Sequence, residues 1–134
     1  MYLENLETAR PAIPGPSLAK RSLAGEFIFI SQDETVSFAA EACIDVLRSA
    51  NRLIGREAYG WRHLRGEEAL DDLEGPLCGP DQVLVLIGGL ERAWRPGEAR
   101  LKVLRGAIRN AARVCVVGAA VFVPLTARVL GTKR

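Results

Sequence analysis

Apolar positions along the chain come in short, dense runs separated by polar stretches. Phe27-Ile28-Phe29-Ile30 is apolar at consecutive positions, the mark of a strand covered on both faces of a parallel sheet. A different spacing follows, with apolar residues at 36, 39, 40, 43, 46, 47, 50, 53 and 54. That is the period of a helix with one buried stripe, and Asp45, Arg48, Ser49 and Arg52 fall on its other side. Ahead of it, Ser31-Gln32-Asp33-Glu34 fits a capping box, Ser31 accepting from the amide three residues on while Glu34 reaches back. Gly55 is the expected stop.

Tyr59, Trp61 and His63 alternate with Gly60 and Arg62, which predicts a second strand over Ala58–Leu64. Residues 66–81 form a polar connection punctuated by Gly and Pro. Gln82-Val83-Leu84-Val85-Leu86-Ile87 reads as a buried strand ending in Gly88-Gly89, and Glu98 to Ala112 as a helix with Leu101, Leu104, Ile108 and Ala111 inward. Arg113-Val114-Cys115-Val116-Val117 is a third buried strand by the same criterion, and from Gly118 the chain turns into a final apolar helix. The order β-α-β-β-α-β-α predicts a mostly parallel sheet with helices on both faces, a three-layer α/β/α sandwich. Pro11, Pro14 and Pro16 mark residues 1–24 as a flexible arm, leaving 25–134 as the folded domain.

A length of 134 residues suits one domain, and 49% hydrophobic against 25% charged residues excludes a disordered chain. The longest uncharged run, Val114 to Ala127, contains Pro124 and is shorter than the ~18 residues of a membrane span, so it reads as buried core. Residues 1–24 have no apolar stretch like a signal peptide's core. Cys43, Cys78 and Cys115, without a CxxC pair, suit a reducing compartment. A soluble, cytoplasmic protein is the expectation.

The pieces "SFAAEACIDVLRSANRLIGREAYGWRHL" at 37–64, "VLVLIGGL" at 83–90 and "RNAARVCVVGAAVF" at 109–122 resemble the amidase-like sensor domain of GlxA-type AraC-family transcriptional regulators. That domain belongs to the ThiJ/PfpI, class I glutamine amidotransferase-like superfamily. The resemblance implies a flavodoxin-like or glutamine amidotransferase-like sandwich, here incomplete at its C-terminus, and no DNA-binding domain in this chain. It also implies a cysteine nucleophile on a sharp strand-to-helix elbow, where orphan helix amides would lower the thiol pKa. The matching position is Gly118, the position of the family's frequent acidic residue is Ala39, and no histidine follows the elbow. The resemblance therefore points to a non-catalytic sensor or dimerisation domain, with a small cysteine-dependent hydrolase or deglycase-like enzyme, using Cys115 or Cys78, as the alternative. An interaction protein pairing with a full-length regulator is a third reading.

Candidate ligand residues lie where parallel strands end: Ser31, Gln32, Gly88, Gly89, Gly118 and Ala119, whose glycine amides suit an oxyanion-like or carboxylate-binding hole. A small anionic or amide-bearing metabolite fits that chemistry, and no cofactor is implied. Cys115 and Cys43, in apolar settings, read as core, and Cys78 as the accessible thiol. His63 has no carboxylate or cysteine at ligand spacing, so no metal is expected. Glu67, Glu68, Asp71, Asp72 and Glu74 read as a solvated acidic turn. Arg105, Arg109 and Arg113 recur every four residues, opposite the apolar stripe, as the outer face of a surface helix. From Ala99 to Arg134 the chain carries eight bases and no acid. No helix-turn-helix pattern accompanies them, so specific nucleic-acid binding is not expected. Apolar residues at the end of the domain, with Phe122, Leu125 and Val129 foremost, predict a homo-oligomer whose interface includes the 119–130 helix.

Overall fold

A computed structural model describes residues 23–129. The arm expected over 1–24 lies outside the described residues except for its last two positions. Four strands, β1 (Gly25–Ser31), β2 (Tyr59–Leu64), β3 (Gln82–Ile87) and β4 (Arg113–Val117), pair side by side in the order β2-β1-β3-β4. Every pairing is parallel, with Phe27 beside Trp61 and Val83, and Leu84 beside Val114. The order is consistent with a flavodoxin-like α/β fold.

Strand alternation divides the core into two layers. Ile28, Ile30, Leu84 and Leu86 point to one face, where they meet Leu101, Leu104 and Ala107 of α2 (Glu98–Asn110), Leu70, and the buried Trp94. Phe29, Val85 and Ile87 point to the other, against Ala40 and Ile44 of α1 (Ser37–Ile54). Each such side chain contributes roughly 1.5–3 kcal/mol on burial, so the two apolar runs of β1 and β3 hold the sandwich together from its middle. Asn51, itself buried, ties the end of α1 to β2: its Nδ2 donates to the Tyr59 carbonyl at 2.9 Å and its Oδ1 accepts from the Tyr59 amide at 2.8 Å. Gly55 follows in a left-handed conformation, its amide donating to the Asn51 carbonyl, which is the stop the sequence predicts.

Four expectations need correction. Ser31 does not cap a helix. It is the last residue of β1, and Asp33 instead accepts from the Thr35 amide to open the 3-10 turn Glu34–Val36, so α1 begins only at Ser37. The apolar stripe of α1 is wider than the surface it covers: Ala40 and Ile44 are buried, but Val46 and Leu53 are exposed. β4 is not a buried strand, since all five of its residues are exposed at the sheet edge. The run Val114 to Ala127 is therefore core only in part, through Ala119, Ala120, Val123, Pro124 and Ala127. The final helix is short, a 3-10 turn over Gly118–Val121 continued by α3 (Phe122–Thr126), and Arg105 Nε donates to the Ala127 carbonyl to hold it on α2. No helix among the described residues is long and apolar enough to cross a membrane.

Candidate functional site

The chain leaves β1 to one side to form β2 and returns to the other side of β1 as β3. The loops after β1 and β3 therefore diverge, opening the crevice where parallel α/β sheets receive ligands. A cleft of about 810 Å³ sits there, with Gln32, Gly88, Gly89 and Gly118 in its wall beside Phe38, Leu90 and Val117. The structure thus brings four of the six expected ligand residues together. Ser31 and Ala119 are buried and do not line it.

Three of the four amides expected to form an anion hole, those of Gly88, Gly89 and Ala119, already donate internally. The Gly88 amide donates to the Val117 carbonyl at 2.9 Å, the Ala119 amide to the Gly89 carbonyl at 2.8 Å, and the Gly89 amide to Gln32 Oε1 at 3.0 Å. Ladder bonding between β3 and β4 runs on into the turns and consumes the Gly88 and Ala119 donors, and the Gln32 side chain takes that of Gly89. The same closeness demands glycine. Gly118 has φ +62°, and a Cβ there would meet the Gly88 carbonyl oxygen at 2.6 Å, while a Cβ on Gly88 would meet the Ala120 nitrogen at 2.5 Å. The strand-to-helix elbow therefore exists but leaves no space for a side chain on either glycine.

Polar groups at the cleft come from side chains instead. Gln32 is buried, with its Nε2 3.5 Å from the Ala93 carbonyl. At the rim Arg92 donates to Asp33 Oδ2 at 2.8 Å. The Thr35 hydroxyl and amide, with Arg92, hold the Asp33 carboxyl below its ordinary value.

Beneath the cleft lies a group that sequence spacing does not reveal. Ser31 Oγ is 2.9 Å from His63 Nε2, His63 Nδ1 is 3.3 Å from Glu41 Oε2, and Arg65 donates to the same Glu41 oxygen at 2.6 Å. A carboxylate only accepts, so in the neutral ring Nδ1 carries the hydrogen and Nε2 accepts from the Ser31 hydroxyl. Partial burial raises the Glu41 pKa, but the His63 hydrogen bond and the Arg65 charge outweigh it, leaving the carboxyl below its ordinary value. The atoms follow the order of a serine–histidine–acid relay, yet Ser31 is wholly buried and off the cleft wall. The relay acts as a clamp joining β1, β2 and α1. Its members stand 32 and 22 positions apart, and only the parallel register that sets Phe29 beside His63 brings them together.

All three cysteines reverse their expected settings. Cys43 and Cys115 are exposed, because α1 has apolar surplus and β4 is an edge, while Cys78 is buried. Burial pushes the Cys78 thiol pKa up, away from nucleophilic use. The acidic turn is not merely solvated: Asp71 accepts both Arg100 Nε at 3.0 Å and Arg100 Nη2 at 2.7 Å, and Glu67 accepts from the Trp94 indole at 3.4 Å. Arg113 belongs to β4, so it does not continue the helical face of Arg105 and Arg109. The expected terminal patch is reduced. Leu125 is exposed and the Arg95 guanidinium lies 5.5 Å over the Phe122 ring, but Val123 is buried and Val129 packs on the main core. Leu130 lies outside the described residues. Among the described residues no group of three His, Cys, Asp or Glu side chains is placed to hold a metal ion.

Comparison with known proteins gives no match to a family model, to a curated protein or to a solved structure.

Proposed function

We propose that this chain is a non-catalytic, cytoplasmic ligand-binding domain that senses a small metabolite at the carboxyl ends of β1 and β3, in the manner of the sensor domains it resembles in transcriptional regulators. The observation that carries this reading is the switch-point cleft of about 810 Å³ with Gln32, Gly88, Gly89 and Gly118 in its wall. With the Gly88, Gly89 and Ala119 amides engaged, recognition falls to side chains: the second N–H and second lone pair of the Gln32 carboxamide for an amide group and Arg92 for an anionic one, beside the apolar side chains of Val36, Phe38 and Leu90. The ligand class is therefore a small carboxylate or carboxamide with an apolar body.

The cysteine-enzyme alternative has less support. Cys115 is exposed, but His63 is on β2, at the far side of the sheet. Three strand spacings of about 4.8 Å put them on the order of 14 Å apart, well beyond the ~3 Å that a nucleophile and its base require. Titration of the 15N-labelled protein with a panel of aliphatic carboxylates and carboxamides tests the proposal. Saturable shifts at Gln32, Gly89 and Gly118, abolished in Leu90→Arg, are the expected outcome. No saturable shift at those residues with any compound would refute the ligand site, and amidase turnover lost in Cys115→Ala would refute the non-catalytic reading.

A further inference from the structure

Edge strands are normally guarded by charge, proline, a bulge or a covering segment, because their free backbone groups template further pairing. β4 carries one charge, Arg113 at its first position, followed by Val114, Cys115, Val116 and Val117, all exposed. It stands last in the strand order, with no described strand beyond it. At the opposite edge, β2 carries Arg62 and His63 and is mostly half-buried, and Asn51 occupies both polar groups of Tyr59.

The phase of β4 follows from one bond. The Val117 carbonyl accepts from the Gly88 amide, so Val117 turns its backbone polar groups toward β3. Because alternate residues point the same way, Cys115 and Arg113 do likewise, which leaves the N–H and C=O groups of Val114 and Val116 directed at the open edge.

We infer that β4 is a self-association edge: two copies join Arg113–Val117 antiparallel about a two-fold axis at Cys115, extending the sheet across both. In this register Val114 of each copy faces Val116 of the other and exchanges both backbone hydrogen bonds with it. It is the register that pairs all five residues of β4. The two Arg113 side chains fall at opposite ends, each across from a Val117, so no like charges meet. Cys115 faces its own counterpart at a non-hydrogen-bonded position, with Cα atoms about 4.5 Å apart, inside the range a disulfide spans. The inference does not depend on the ligand site, and it moves the association surface from the terminal helix to the strand before it.

The test uses the full chain with Cys43→Ala, which removes the other exposed thiol. At tens of micromolar it should sediment as a dimer, and copper-phenanthroline should oxidise the paired Cys115 thiols to an intermolecular disulfide. Val114→Pro deletes only an edge-facing N–H and spares the bonds to β3. It should remain folded by circular dichroism, sediment as a monomer and cross-link at least tenfold more slowly. Should that variant unfold, hydrogen exchange on the unsubstituted chain replaces it: the Val114 and Val116 amides should exchange fast in dilute solution and slow as concentration rises. A monomer across the whole concentration range would overturn the inference. So would a dimer that does not cross-link at Cys115, or cross-linking as fast in Val114→Pro. Concentration-independent protection of those two amides would mean that another part of the chain, such as residues 1–22, covers the strand, and would overturn it as well.

Discussion

β3 and β4 are hydrogen-bonded neighbours of almost the same composition, Gln-Val-Leu-Val-Leu-Ile and Arg-Val-Cys-Val-Val, and their fates are opposite. Leu84 and Leu86 are wholly buried, whereas their register partners Val114 and Val116 are 38% and 36% exposed. β3 lies between β1 and β4 with α1 above and α2 below, while among the described residues β4 has a neighbouring strand on one side only. An apolar run thus reports that a strand suits a covered position. The topology decides whether the cover is there.

The sharpest way to break this comparison is to truncate registered partners. Leu84→Ala removes a side chain from the centre of the main core and should cost about 3 kcal/mol in urea unfolding. Val114→Ala, opposite it in register, should cost less than about 1 kcal/mol, since much of the lost surface was already wet. Equal costs would mean that β4 is as well covered as β3.

A second way addresses the junction where the two strands turn together. Gly118→Ala forces a side chain into a left-handed conformation and against the Gly88 carbonyl. It should destabilise by about 2 kcal/mol, with the largest amide shifts at Gly88 and Gly89. A substitution tolerated at no cost would show that the two loops part easily.

Acid gives the smallest effect and acts away from both strands. Asp33, Glu41 and Asp71 all have carboxyl pKa values held below ordinary by their partners. A lowered folded-state pKa contributes stability that is present above the unfolded value and is lost as pH falls through the folded one. The urea midpoint should therefore hold from pH 7 to about 5 and decline below about pH 4. Glu41→Gln should flatten part of that decline, and a midpoint that rises on acidification would contradict the assignment.

Much of the fold is legible in the sequence. The unbroken apolar runs locate β1, β3 and β4, the alternation at 59–63 locates β2, and Gly55 marks the end of α1. Local spacing says nothing about which strand ends up outermost, and this single gap accounts for the misplacement of Cys115 and for the overestimated core after Val114. Ser31 misleads for a related reason. Its neighbours spell a capping box, but backbone pairing with Ile87, 56 positions away, keeps it in β1. Of the candidate site, Gln32, Gly88, Gly89 and Gly118 are legible because strand ends and glycine pairs are local signals. The Ser31–His63–Glu41 clamp and the Asp33–Arg92 rim pair are not, because each depends on the register of separate elements.

The central place of β1 has a consequence in time. Of the described strands it is the first to be synthesised, yet its two partners end at Leu64 and Ile87. At ~5–20 residues per second, Phe27-Ile28-Phe29-Ile30 waits on the order of several seconds for β3 to follow it from the ribosome. During that interval these four apolar residues have no native strand on one side, so the yield of folded protein should depend on translation speed through residues 65–87 and on chaperones that hold an extended apolar segment.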